Sequence, residues 1–515
     1  MKRPFRGLRD RPPARAYDAV VIGAGIGGLF AAVELQRQGA AVLLIEQHYM
    51  VGGYCSTFRR AGYCFDASTH FYPLLGNSTT LTGKLLGELG LETQWVRMDP
   101  VDTFHFPDGS RFDVPAELEP YRQAVEALFP HQREQLDRFL AACREAYLHG
   151  VLYHFRGKKT ERYETWADWT LRQALDTFIS DPKLKLLLTA DCAHWGSPPS
   201  RTSFVFDAML RLSYFLGNYY PKGGSQAFAD ELGRRFEELG GDILICASAR
   251  RILVERGRAC GVEIEVDRGK LAGVYTIASG AVISNGDLRR TVGQLLPAAA
   301  VPPEMRRQLA ELRPTFPCFL THLGLAGVAA EDLERVQGYY WNEWDPDLVG
   351  KNGLRCKIFA PTLYEKAMAP PGGEVVILQK VLELDQEAVT DWPAHKAEVE
   401  AYLLAHLESV LPGIRKKIVV STSASARTAW RFTWNAAGAM LGWEMSPDQL
   451  GEQRPGNQGP VENLWHVGHW TRPGGGITPV IVSAIEVARE VARAGSSASW
   501  REEAAALLAI PGGLP

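Results

Sequence analysis

The sequence predicts an α/β fold: a parallel sheet with a glycine-rich strand–helix–strand unit, joined to a mixed β-sheet and a helical subdomain. Three observations predict the parallel sheet. A short apolar run, 18–22, leads into the spacing GxGxxG at 23–28. Apolar residues then recur at helical intervals, and a second apolar run, 41–45, ends at Glu46. This order is typical of a Rossmann-type dinucleotide-binding domain.

Each part of this unit has a physical task. Gly23 makes the tight strand-to-helix turn, Gly25 lets a pyrophosphate approach the backbone, and Gly28 lets the helix pack on the strand. The phosphates would lie at the helix N-terminus, where free N–H groups and the macrodipole favour negative charge. Glu46 would accept hydrogen bonds from ribose hydroxyls and would repel a 2′-phosphate, which disfavours NADP.

Composition excludes several classes of function. The 515 residues, 46% apolar and 22% charged, indicate an ordinary globular chain of two or three domains. The net charge of −3 argues against nucleic acid as a partner. Eight cysteines without CxxC or clustered Cys/His spacing predict neither a metal site nor a disulfide framework. Residues 1–16 are basic without an apolar signal core, so we expect a flexible tail, or alternatively a weak contact with anionic lipid.

Three blocks of the chain resemble the flavoprotein family of carotene desaturases, carotenoid isomerases, retinol saturases and amine oxidases. The first block, 18–70, adds the pair Gly52-Gly53 and the run GYCFDASTH, and it is most similar to retinol saturases and carotenoid isomerases. The second block, 219–286, contains YPKGG and ISN. The third block, 463–494, contains VGHWTRPGGGI and is most similar to bacterial carotene desaturases. In that family the three blocks build one FAD site.

The resemblance implies FAD as the cofactor. Many members of the family carry an acid where this chain has His469, so the contact with the ribityl–phosphate segment differs here. The helix after Gly476 would direct its N-terminus at the N1/O2 edge of the flavin, which becomes negative on reduction. The implied cofactor-binding residues are Gly23, Ala24, Gly25, Gly27, Gly28, Glu46, Gln47, Gly53, Ala249, Asn285, Gly468, His469, Gly476, Ile477 and Thr478.

The remaining elements follow in chain order. We predict a hairpin over 103–114, helices over 171–178, 184–190, 204–215, 226–239, 396–410 and 477–492, and strands over 243–247, 249–255, 259–266, 281–284, 317–325, 354–360, 374–381 and 464–467. The expected domains are a discontinuous FAD-binding domain (17–100, 219–291 and 460–495), a helical substrate- or membrane-facing subdomain (101–218), a mixed-sheet substrate domain (292–459) and the tail (1–16).

The helical subdomain is the most aromatic part of the chain. Its rings either pack a core or wall a tunnel for a long apolar substrate, and its surface is a candidate for docking on a bilayer. No apolar run reaches the roughly 20 residues of a spanning helix. We therefore expect a protein that is cytoplasmic or peripheral to the cytoplasmic face of a membrane. The mixed-sheet domain shows no catalytic constellation.

The resemblance implies an FAD-dependent oxidoreductase that desaturates or isomerises a hydrophobic polyene, either a carotenoid or a related isoprenoid. Three alternatives stay open: a retinol saturase-like reductase, a flavin amine oxidase, and a non-enzymatic prenyl or lipid carrier of the Rab escort type. The candidates for side chains near the flavin ring are His70, His469, Trp470 and Arg472. Histidine titrates in the range of proton transfer, which makes His70 and His469 the catalytic candidates. A structural, hydrogen-bonded role for His70 is an equal alternative.

Overall fold

The computed structural model describes residues 5–495 and Ala506. Its strands are β1 Ala16–Ile22, β2 Val42–Glu46, β3 Thr57–Arg60, β4 Tyr63–Asp66, β5 Trp95–Arg97, β6 Thr103–His105, β7 Arg111–Asp113, β8 Tyr219–Pro221, β9 Asp242–Ile245, β10 Ala247–Glu255, β11 Arg258–Val266, β12 Gly273–Ser284, β13 Cys318–Ala326, β14 Gly338–Trp341, β15 Leu354–Phe359, β16 Gly373–Val381, β17 Ile418–Ala424 and β18 Leu464–His466. Its α-helices are α1 Ile26–Arg37, α2 Leu81–Glu88, α3 Leu118–Leu128, α4 Arg133–Arg156, α5 Glu161–Ala167, α6 Leu171–Phe178, α7 Pro182–Leu187, α8 Phe204–Phe215, α9 Ser225–Glu238, α10 Leu288–Arg290, α11 Pro303–Glu311, α12 Ala330–Val336, α13 Trp392–Val410, α14 Ala426–Thr433 and α15 Ile477–Ala494.

The first sheet contains the predicted glycine-rich unit. Its strand order is β10-β11-β12-β1-β2-β9, and β18 also pairs with β12. Strands β12, β1, β2 and β9 run parallel, and β1 and β2 are buried along almost their whole length. Helices α1, α9 and α15 supply apolar residues to the core on one face of this sheet. Strands covered on both faces read as continuous apolar runs, so the predicted α/β class is confirmed.

The second sheet is mixed and has the order β17-β13-β16-β15-β14-β6-β7. Its pairs are antiparallel except for β14 with β6. Helices α12 and α13 pack on one face. We predicted the hairpin β6–β7 as part of the helical subdomain, and the structure corrects this. Because Tyr339 and Tyr340 pair with Phe104 and His105, the hairpin extends the sheet.

Helices α3 to α8 form a separate layer beside the second sheet. Most of their aromatic rings are buried in one core, including Phe139, Trp166 and Phe204, and Trp195 from the segment between α7 and α8 joins the same core. Packing therefore accounts for much of the aromatic content. Across the described residues, no helix combines the length and the apolar character that a membrane crossing requires.

Part of the basic N-terminal segment, which we predicted as a flexible tail, packs against the first domain. Phe5 is 2% exposed and packs on α9, where a Cβ at Gly233 would lie 2.9 Å from its ring. The backbone N–H groups of Arg6 and Gly7 donate to Glu237. Leu8 is buried as well. Two apolar residues therefore anchor a segment that its basic composition had indicated to be solvent-exposed. Residues 1–4 of the predicted tail lie outside the described residues.

Candidate active site: a cleft between the two sheets

One continuous cleft runs from the first sheet to the second and encloses about 2520 Å³ of empty space, counted with its open mouth. We distinguish three regions of its wall. The nucleotide arm lies against the first sheet, the apolar arm lies between α4 and α8, and the polar pocket lies on the second sheet.

The first glycine loop forms the floor of the nucleotide arm. Gly23 has φ +92°, a left-handed conformation that β1 needs in order to turn into α1. A Cβ at Gly28 would lie 1.9 Å from the carbonyl oxygen of Gly23, so the helix packs directly on the turn. Helix α1 begins after Gly25, and no side chain of residues 5–495 caps it. Its first N–H groups are therefore available to an anion in the cleft.

The second glycine loop meets the first one across this arm. A Cβ at Gly27 would lie 3.1 Å from Val480 of α15, and a Cβ at Gly468 would lie 2.7 Å from the amide oxygen of Asn285. Helix α15 begins after Gly476, again without a side-chain cap from the described chain. Two helix N-termini thus open onto one space, which fits both the pyrophosphate and the electron-accepting edge of FAD.

Glu46 closes the end of β2 at the ribose position of the motif. Its carboxylate accepts the N–H of Ala24 at 2.7 Å and the N–H of His48 at 2.8 Å. Burial raises the pKa of Glu46 to about 7, and these two hydrogen bonds oppose that shift. The glutamate therefore holds the glycine turn in place as well as facing the cleft.

Nearly all of the predicted cofactor residues lie on the cleft wall. Those residues are Gly23, Gly25, Gly27, Glu46, Gln47, Gly53, Ala249, Asn285, Gly468, His469, Gly476, Ile477 and Thr478. Ala24 and Gly28 lie behind the wall instead, and their contact with the cofactor stays a prediction. Ala24 is fully buried and bonds to Glu46 and, through its carbonyl, to the N–H of Gly52. These two residues shape the turn from inside the domain.

Three residues after β18 were predicted to lie near the flavin ring. One of them lines the cleft, and the other two do not. His469 lines the cleft, and burial lowers its pKa to about 3, so the neutral ring donates Nε2–H to Oδ1 of Asn435 at 3.3 Å. Trp470 is buried in the core and donates to the same oxygen at 3.0 Å. Arg472 is exposed and donates to the backbone carbonyl of Arg454. Trp470 and Arg472 therefore do not approach a ring in the cleft, contrary to the prediction.

The apolar arm lies between two helices of the helical layer. Its side chains recur at four-residue intervals on α4 and on one face of α8. They are Tyr147, Val151 and Phe155 on α4, with Phe206, Met209 and Leu210 on α8. Residues one turn apart share a helix face, so the two helices present a continuous apolar surface to the cleft.

The polar pocket is a set of side chains that sequence analysis missed. Tyr339, Lys357 and Gln379 are direct cross-strand neighbours on β14, β15 and β16, and all three line the cleft. Lys357 is 2% exposed, and its Nζ lies 2.7 Å from Oδ2 of Asp102 and 4.0 Å from the centre of the Phe71 ring. A lysine in the strand 354–359, between apolar Cys356 and Ile358, is the signal that could have revealed this pocket.

His70 stands at the edge of the polar pocket. Its Nδ1 lies 3.1 Å from the carbonyl oxygen of Ser68 and 3.2 Å from Nε2 of Gln379. Burial, with the charge of Lys357, lowers its pKa well below the usual value, so the ring is neutral. Its Nε2 is buried and meets no hydrogen-bond partner among the described residues. The catalytic role of His70 stays a prediction.

Comparison with known proteins identifies the family. The model of the family described as flavin containing amine oxidoreductase matches residues 26–492. The chain belongs to this family. Its predicted flavin cofactor, FAD, and its class as an FAD-dependent oxidoreductase are thereby confirmed.

Three similar proteins place the chain within the family. It is 26% identical to prolycopene isomerase, chloroplastic, of Daucus carota over 93% of this chain and 80% of that protein. It is also 26% identical to phytoene desaturase (neurosporene-forming) of Cereibacter sphaeroides over 93% of this chain and 95% of that protein. An oxidoreductase structure from Methanosarcina mazei has the same fold, with a TM-score of 0.65 and 19% identity over 92% of this chain and 99% of that one. The resemblance to carotenoid isomerases and desaturases is thereby confirmed.

Proposed function

We propose that the protein is an FAD-dependent oxidoreductase that desaturates or isomerises a hydrophobic polyene, a carotenoid or a related isoprenoid. The observation that carries this proposal is the continuity of the cleft. The nucleotide arm passes without a break into the apolar arm between α4 and α8. A substrate chain lying in the apolar arm would therefore reach the cofactor along its length. The similarity to a prolycopene isomerase and a phytoene desaturase supports the same substrate class.

The two arms divide the work. The N-termini of α1 and α15 and the carboxylate of Glu46 would hold the cofactor, which supplies hydride transfer when bound. The apolar side chains of α4 and α8 would orient the polyene and exclude water from it. Neutral His469 and neutral His70 would add no charge to the cofactor region.

The decisive experiment is expression in cells that accumulate different carotene precursors, with pigments separated by chromatography. A longer chromophore would mean desaturation. A changed cis/trans ratio with an unchanged formula would mean isomerisation, and a shorter chromophore would support a saturase. If no pigment changes, and amines reduce the bound flavin anaerobically where polyenes do not, the protein is an amine oxidase and the proposal is wrong.

We also propose a membrane contact at the mouth of the apolar arm. On α4 the residues Leu148, Val151, Leu152 and Phe155 share one face, and Leu148 is 54% exposed. Exposed Arg156, Lys158 and Lys159 follow directly. An apolar helix face beside basic residues suits the surface of an anionic bilayer.

Sedimentation with vesicles of phosphatidylglycerol tests this contact. We expect the double variant Leu148→Ser/Leu152→Ser to bind less than the natural protein. Val274→Ser removes another exposed apolar side chain, on β12 of the first sheet, and is the control. Equal loss of binding in both variants would contradict a contact at α4.

A further inference from the structure

The hydrogen bonds of the polar pocket leave two donors without an acceptor. Burial lowers the pKa of Lys357, and the ion pair with Asp102 opposes that shift and keeps the ammonium, which can only donate. Its Nζ lies 2.7 Å from Oδ2 of Asp102, 3.2 Å from Nε2 of His194 and 3.3 Å from the hydroxyl oxygen of Tyr339. These three acceptors match its three N–H groups. Tyr339 therefore receives a hydrogen bond from Lys357 and keeps its own hydroxyl hydrogen free.

The same reasoning determines the tautomer of His194. This ring is buried beside Lys357, and both effects lower its pKa well below the usual value, so it is neutral. Because Nε2 accepts from Lys357, the proton of His194 is on Nδ1. Nδ1 lies 3.3 Å from the hydroxyl oxygen of Tyr214, to which it donates. Among the described residues no group accepts the hydroxyl hydrogen of Tyr214 or that of Tyr339.

Both tyrosines line the cleft and both pack around His194. The ring centre of His194 is 6.5 Å from that of Tyr214 and 5.4 Å from that of Tyr339. Tyr214 is on α8, directly after the residues that wall the apolar arm. Both hydroxyl donors therefore belong to tyrosines that line the cleft beside His194.

We propose that Tyr214 and Tyr339 bind a neutral oxygen, a hydroxyl or a carbonyl, at one end of the substrate chain. The substrate is then an oxygenated polyene rather than a pure hydrocarbon, an inference that rests on the function proposed above. A hydrocarbon covering this pocket would bury two hydroxyl hydrogens without acceptors, which weakens binding by roughly tenfold for each one.

The charges around the pocket favour a neutral oxygen over a carboxylate. Lys357 is already paired with Asp102. Asp191 is buried nearby and contributes to the electrostatics of Lys357, although burial raises the pKa of Asp191 to about 6. A substrate carboxylate would add a negative charge with no free cation to balance it, and burying an unpaired charge is unfavourable.

Binding titrations with three probes that share one 20-carbon polyene test the proposal. The probes are all-trans-retinol, all-trans-retinoic acid and axerophthene, the hydrocarbon in which hydrogen replaces the hydroxyl group. Quenching of tryptophan fluorescence in the FAD-loaded protein reports binding. We expect retinol to bind at least about tenfold more tightly than the hydrocarbon or the acid.

The variants Tyr214→Phe and Tyr339→Phe assign the preference to the two hydroxyls. Each should lower retinol affinity by about 3- to 10-fold and leave hydrocarbon affinity unchanged or higher. Tyr340→Phe is the matched control. Its hydroxyl donates to the backbone carbonyl of Val336 at 2.8 Å, and Tyr340 does not line the cleft, although it neighbours Tyr339 on β14.

Four outcomes would overturn the proposal. Equal affinity for retinol and the hydrocarbon would overturn it and leave the polyene function standing. Tightest binding of the acid would assign the pocket to the charge of Lys357. Equal weakening of all three probes by Tyr214→Phe and Tyr339→Phe would assign the tyrosines a structural role. If none of the probes binds the flavin-loaded protein, the proposed polyene function fails together with this inference.

Discussion

Replacing Gly28 by alanine should displace the N-terminus of α1 in the nucleotide arm and destabilise the protein. The new Cβ would lie 1.9 Å from the carbonyl oxygen of Gly23, about 1.1 Å short of the 3.0 Å below which real Cβ atoms are essentially never found. The opposing atom is backbone in the turn that Gly23 makes, so α1 itself must move. Alanine gains about 1 kcal/mol of helix propensity over glycine, but overpacking of this kind costs about 1–3 kcal/mol or more. We therefore expect a net loss of stability and a displaced helix N-terminus.

Gly87→Ala is the matched control for this change. Gly87 is also a helical glycine, in α2, and a Cβ there would meet no atom of the described chain within 4 Å. It should stabilise the protein by up to about 1 kcal/mol. The assay is the ratio of flavin to protein absorbance after purification, followed by urea unfolding of both variants. A Gly28→Ala protein that is as yellow as the natural protein and as stable as Gly87→Ala would refute the close packing of Gly28 on the carbonyl of Gly23.

Three further predictions concern buried charges. Glu46 has a pKa of about 7 in the folded protein, above its ordinary 4.5, so its contribution to stability is present at low pH and is lost as pH rises through 7. Between pH 5 and pH 8, urea unfolding of the FAD-free protein should show the free energy of unfolding of Glu46→Gln rising relative to that of the natural protein by on the order of 3 kcal/mol. If the two proteins have parallel profiles of stability against pH, the raised pKa of Glu46 is contradicted. Lys357→Met leaves Asp102 buried and unpaired, so it should destabilise the protein by about 3–5 kcal/mol. Adding Asp102→Asn should restore most of that stability. If the double variant is no more stable than Lys357→Met alone, the ion pair is not the cause of the loss. Asp66 is fully buried and accepts hydrogen bonds from Thr57 and from two other donors, so Asp66→Asn should cost about 1–3 kcal/mol for each donor left unpaired, again by urea unfolding.

Local sequence patterns were sufficient for the first sheet and its cofactor loops. The turn at Gly23, the apolar runs of β1 and β2 and the start of α15 at Ile477 depend on steric rules that act over a few neighbouring residues. The prediction that the two glycine loops approach one another holds, since Gly27 packs against α15. The errors nearby were of position: Trp470 and Arg472 follow the glycine at the end of β18, but Trp470 is buried in the core and Arg472 is exposed at the surface.

The N-terminal segment shows how local composition misleads. Six basic residues in the first sixteen indicate a solvated tail, yet Phe5 and Leu8 find apolar partners on α9 and near β9. The charge pattern of a short segment cannot predict that the segment packs on a surface formed by residues more than 200 positions away.

What the sequence determined by itself is the dinucleotide-binding unit, the FAD class of cofactor and the presence of an aromatic helical layer. Only the folded chain shows the polar pocket, in which Tyr214 of α8 lies near Tyr339 and Lys357 of strands β14 and β15 in the second sheet. The difference lies in the distance along the chain over which each interaction acts. Backbone sterics and helical periodicity are written into adjacent residues, whereas the pairing of Lys357 with Asp102 depends on strand register and on helix packing across the whole chain.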